Sequence, residues 1–135
     1  MGAWGTGTFE NDGASDYGLA IIEGRDASGL ERTLDRVLEM GTGYLEAPDG
    51  SEALAAADIR ARLMGRPGES TPYTQEIDAW VGVTKITPSS QLIDKARRAV
   101  SRVLTEPSEL MELWQDSDDF EAWKASVEVL ARRLI

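Results

Sequence analysis

Glu10, Asn11, Asp12 and Asp16 collect three carboxylates and a carboxamide within one short stretch of chain. Oxygen donors of this kind suit a hard cation such as Mg²⁺ or Ca²⁺, so Glu10, Asp12 and Asp16 form a candidate metal set for a cation-dependent, hydrolase-like enzyme. The spacing is not that of an EF-hand loop. The same residues also read as the start of a helix, with Asn11 or Asp12 as its cap and Asp16 near the positive end of its dipole. Capping is the reading adopted, with no metal or cofactor expected; a Mg or Ca site is the alternative. Asp116-Ser117-Asp118-Asp119 looks like half a calcium loop, lacks the turn glycine, and is read as a second cap.

Other chemistries are limited by what the chain lacks. It has no histidine and no cysteine, which excludes Ser-His-Asp and Cys-His nucleophiles and zinc sites of the usual Cys/His composition within one chain. Gly5-Thr6-Gly7 could present backbone amides to an anion, but no Gly-Lys-Ser/Thr follows and no strand precedes it. The net charge of −10 predicts repulsion from nucleic acid and anionic membranes, and suits a basic protein partner. Lys95, Arg97, Arg98 and Arg102 form the one notable basic stripe, expected to pair with acidic residues between Glu106 and Glu121. With neither a secretory leader nor an apolar membrane span, a cytoplasmic location is expected.

The elements that must position these residues are helical. At 135 residues the chain fits one domain, read as a compact, multi-helix, all-α body. A helix from about Gly13 to Glu23 is expected to bury Tyr17, Leu19 and Ile22. Ser28-Gly29-Leu30-Glu31 forms a capping box, and Leu30, Leu34, Val37 and Leu38 follow as one apolar stripe. Asp49-Gly50-Ser51-Glu52 opens an alanine-rich helix, and small side chains that allow close approach make that helix the expected centre.

Gly65 to Pro72 reads as a loop. Ile77, Trp80 and Val81 share a helical face, while Val81-Gly82-Val83-Thr84-Lys85-Ile86-Thr87 is open to a short extended segment. Ser89 or Ser90 starts the clearest helix. Ser108 begins a brief one, and the last starts near Asp118 with Glu121 as its reciprocal partner. Trp4, Trp80, Trp114 and Trp123 are assigned to the core or its edge, with Trp4 the aromatic most available to a binding surface.

Met1-Gly2-Ala3-Trp4-Gly5-Thr6-Gly7-Thr8-Phe9-Glu10-Asn11-Asp12 therefore reads as an ordered Gly/Trp loop delivering acids to a helix. Those positions, with Asp16-Tyr17, resemble a group of small, mostly bacterial proteins catalogued as a domain of unknown function. Thr8 stands where proline is frequent, and Tyr17 where tryptophan often appears. Weaker similarity continues through Gly43-Tyr44-Leu45-Glu46, Ser108-Glu109-Leu110 and Leu113-Trp114. The resemblance implies no activity. The functional expectation is a non-enzymatic protein-interaction module, regulatory or immunity-like, that binds through Trp4, Glu10, Asn11, Asp12 and Asp16. A purely structural role for the N-terminal motif is the remaining alternative.

Overall fold

The computed structural model describes residues 5–24, 28–72, 74–84 and 89–135. Seven helices occur among them: α1 (Asp12–Gly24), α2 (Ser28–Glu39), α3 (Ala47–Leu63), α4 (Gln75–Val83), α5 (Ser90–Val103), α6 (Glu109–Gln115) and α7 (Phe120–Arg133). The all-α expectation holds. No named strand occurs among the described residues, and the single isolated bridge is a parallel pairing of Leu45 with Ser108.

α3 is the axis of the molecule and packs against each of the other six helices. Its alanines explain how. Ala53, Ala55, Ala56, Ala57 and Ala61 are fully buried, so neighbours approach from every side without losing side-chain entropy on α3 itself. Leu30, Leu34, Val37, Leu92, Val100, Val103 and Leu130 close around it from α2, α5 and α7. Burial over the whole circumference has a consequence: Asp58, Arg60 and Arg62 are also buried and need partners.

Several boundaries differ from the sequence reading. α1 buries Ala14, Gly18 and Ile21, whereas Leu19 is 41% exposed. Gly18 lets Ile77 of α4 and the Phe9 ring lie close to this helix: a Cβ there would stand 3.0 Å from Ile77 Cδ1 and 3.4 Å from Phe9 Cε1. α3 starts at Ala47, two residues before the expected Asp49, because Pro48 is accommodated in the first turn. The Ala47 amide then donates to Glu109 Oε1 at 2.8 Å. α7 starts at Phe120 rather than near Asp118, and no side chain caps it. Val81, Gly82 and Val83 are the last turn of α4 rather than part of an extended segment, since Ile77 and Trp80 bury together only on a helix. Thr84 is extended as its C-cap, and Lys85, Ile86 and Thr87 lie outside the described residues.

The basic stripe of α5 finds partners other than those expected. Lys95 pairs with Glu31 at 2.6 Å and Asp35 at 2.8 Å on α2. Arg97 donates to the Leu134 carbonyl at 2.7 Å. Arg102 reaches the Gly41, Gly43 and Pro107 carbonyls. The stripe thus ties α5 to α2, to the C-terminal residues and to nearby loops, and meets the segment from Glu106 to Glu121 at the Pro107 carbonyl rather than at the acids expected. Two short motifs distant in sequence also meet: the Leu45 amide donates to Pro107 O at 3.2 Å, and the Glu109 amide to Leu45 O at 2.8 Å.

Candidate functional site

The N-terminal loop is held by its own acids. Glu10 Oε1 accepts the Gly7 amide at 3.1 Å. A Cβ at Gly5 would lie 2.5 Å from Glu10 Oε2, and one at Gly7 would lie 2.6 Å from Oε1. Glycine at both positions leaves room for this carboxylate, which a Cβ would push aside. Asn11 is the helix cap: its Oδ1 accepts the Ala14 amide at 2.9 Å, while its Nδ2 donates to Thr8 O at 3.3 Å. Ser15 Oγ donates to Phe9 O at 2.8 Å. Phe9, 2% exposed, is driven into the core, where the Arg62 guanidinium lies 5.9 Å from its ring centroid.

Behind Phe9 lies a buried ionic network that the sequence reading did not identify. Arg62 Nε donates to Asp58 Oδ1 at 2.7 Å, Nη1 to Asp78 Oδ1 at 2.6 Å, and Nη2 to the Glu69 carbonyl at 3.0 Å. Arg133 arrives from α7 and grips both oxygens of Asp58, at 3.2 and 3.0 Å, while its Nε donates to Arg66 O at 3.1 Å. Burial opposes the charge on Arg62, yet Asp58 and Asp78 more than offset it and hold its pKa above the ordinary arginine value. Gly68 lies against the Arg133 guanidinium; a Cβ there would stand 2.5 Å from Nη1.

This network forms the floor of a cleft of about 300 Å³, within the size range of ligand sites. The N-terminal loop supplies one wall through Thr6, Gly7, Thr8 and Glu10. The segment after α3 contributes Gly68, Glu69, Thr71 and Thr74. α7 supplies Ala122, Ala125, Ser126, Val129 and Arg133 at helical spacing, and its small residues leave the space open. The opposite side of α7 is committed to the core through Trp123, Val127 and Leu130, with Trp123 stacked on Trp114 at 6.0 Å. A void of about 20 Å³ separates those tryptophans from Thr6, Gly7 and Thr8, so the loop covers the aromatic pair on one side and borders the cleft on the other.

Of the residues singled out from sequence, Glu10 and Asn11 adjoin one another in this loop, and Glu10 borders the cleft. Asp12 and Asp16 are exposed on α1 and do not line it. Trp4 lies outside the described residues. Among the described residues, no three acidic side chains come together as a metal-holding group. Asp58, Arg62, Arg133, Ser126 and Val129 were not anticipated. The available signal was a pair of opposite charges four residues apart inside an alanine-rich helix with no polar face to spare.

A family described as "Domain of unknown function (DUF4259)" matches residues 2–126. The chain belongs to the DUF4259 family. The match takes in the N-terminal loop, α3, the segment behind it and the first half of α7, leaving Arg133 beyond its end. No curated protein and no solved structure matches the chain. Among the described residues of this DUF4259 domain, no helix is long and apolar enough to cross a membrane.

Proposed function

We propose that the chain is a non-catalytic recognition module that receives part of a protein partner in the cleft between the N-terminal loop and α7. One observation carries this reading: the cleft is open, yet the ionic groups at its floor are already committed to one another. Asp58 is held by two guanidinia, Glu10 by its own loop, and Arg62 by three acceptors. Groups fixed in this way position a ligand well but make poor proton carriers, and histidine and cysteine are absent. A net charge of −10 favours a basic partner on approach. This supports a regulatory or immunity-like role more than cation-dependent hydrolysis.

A photoreactive residue placed at Ser126, inside the cleft, tests the reading against a control at Arg36, whose side chain is 55% exposed on α2. The expected result in native lysate is one discrete adduct from the Ser126 position, weakened by salt and absent from Arg36. Identical adducts from both positions, or none from Ser126, would overturn it.

A further inference from the structure

The cleft's hydrogen-bonding inventory restricts what it can hold. A guanidinium has five N–H donors. Arg62 and Arg133 each use three, leaving two apiece without a partner among the described residues. Both side chains line the cleft, Arg62 at 3% and Arg133 at 14% exposure, so these N–H groups are reached from the cleft but only sparsely hydrated. The floor therefore asks for an acceptor oxygen.

Charge then decides which acceptor. Glu10, Asp58 and Glu69 line the cleft with Arg62 and Arg133, and Asp78 pairs with Arg62, so these side chains together carry more negative than positive charge. A carboxylate or phosphate would add a further negative charge to that excess. A bare cation would meet the guanidinia at the floor. A neutral carbonyl satisfies the open N–H groups with neither penalty. At the rim the demand reverses: Glu10 Oε2 and the hydroxyls of Thr6, Thr8 and Ser126 have no partner among the described residues and can accept from an N–H.

Resting on the reading just proposed, we infer that the cleft recognises a neutral carboxamide, a Gln or Asn side chain carried by a partner segment with flanking Lys or Arg. The carbonyl oxygen accepts from the guanidinia and the amide NH₂ donates toward the rim. The side-chain stem passes between Ala125 and Val129, and the flanking cations meet Glu10 and Glu69 at the mouth. A side chain fits better than a backbone amide because the ionic network closes the floor, so the group must enter end-on.

The test is titration of isotope-labelled full-length protein with synthetic heptapeptides, Gly-Lys-Lys-Gln-Lys-Lys-Gly and the versions carrying Glu or Leu at the centre, followed by amide chemical shifts. The Gln peptide should shift residues around Gly7, Thr8 and Val129. The Glu and Leu peptides should bind at least about tenfold more weakly. Val129→Glu, at a position 46% exposed and so harmless to folding, should abolish the cleft shifts while leaving the melting temperature unchanged. Equal or tighter binding of the Glu or Leu peptide in the cleft would overturn the carboxamide inference while leaving the recognition reading standing. Shifts confined to other surfaces, or none with any peptide, would overturn both.

Discussion

Asp58→Ala is the substitution with the largest consequence the structure allows to be worked out. Asp58 is 3% exposed and accepts from Arg62 Nε, Arg133 Nη1 and Arg133 Nη2. Its removal leaves two guanidinia short of their shared counter-charge. Breaking a buried pair by deleting one partner costs about 3–5 kcal/mol. The lower end applies here, because Arg62 keeps Asp78 and Arg133 is nearer the surface, at 14% side-chain exposure. The expected loss is therefore about 3 kcal/mol, out of a total of roughly 5–15 kcal/mol for a domain. For a chain of this size that lowers the melting temperature by about 10 °C. Urea unfolding followed by tryptophan fluorescence reads it directly, since Trp80, Trp114 and Trp123 are all buried. Pairing Asp58→Ala with Arg133→Met in a double-mutant cycle should show a coupling of at least about 1 kcal/mol. A single-variant loss below about 1 kcal/mol, or additive effects in the cycle, would refute the network as the cleft's support.

Other expectations follow from individual contacts. Gly7→Ala should cost about 1 kcal/mol, because the Glu10 carboxylate must swing away and give up the hydrogen bond from the Gly7 amide, and it should cost less in a Glu10→Ala background, where that bond is already gone; thermal melts of the three variants check it. Glu109→Ala should cost about 1 kcal/mol in urea unfolding by removing the acceptor for the first amide of α3. Burial pushes the Tyr17 hydroxyl up to about 12 despite an opposing hydrogen bond to Thr33 at 2.7 Å. Between its unfolded value of 10.0 and about 12 the unfolded chain holds fewer protons than the fold, so stability falls as pH rises through that window. Tyr17→Phe should be less stable than the parent near neutrality by about 1 kcal/mol, and that deficit should shrink or invert above pH 10.0 in denaturant titrations.

Periodicity carried the fold into view because six of the helices have an ordinary division between buried and exposed faces. Asn11, Ser89 and the alanines of α3 were legible for the same reason: capping and close approach are local rules, written within a few residues. The cleft was illegible because its chemistry is not local. Asp58 and Arg133 are 75 residues apart, and nothing near either one signals the other. In sequence, Asp58, Arg60 and Arg62 look like ordinary solvated positions, yet Asp58 and Arg62 share one face of α3, Arg60 lies on the other, and both faces are buried. Arg60 shows the same blind spot: it is 5% exposed, donates from Nη2 to Ser89 O at 3.2 Å, and burial lowers its pKa with no carboxylate among the described residues to restore it.

A structural motif and a binding motif are not exclusive alternatives for the N-terminal loop. Glu10 spends one oxygen on the Gly7 amide, Asn11 spends its side chain on the Thr8 carbonyl and the α1 cap, and Phe9 spends its ring beneath Arg62. Those commitments make the loop rigid. What they leave over, the second oxygen of Glu10 and the hydroxyls of Thr6 and Thr8, is then held at fixed positions on the wall of the cleft. A flexible loop would lose entropy on ordering around a ligand, whereas one already clamped by its own glycine-packed carboxylate does not. The residues that stabilise the loop are thus the reason its neighbours can recognise anything, and a loop variant that lowers binding without lowering stability must lie at Thr6 or Thr8 rather than at Gly7, Phe9 or Asn11.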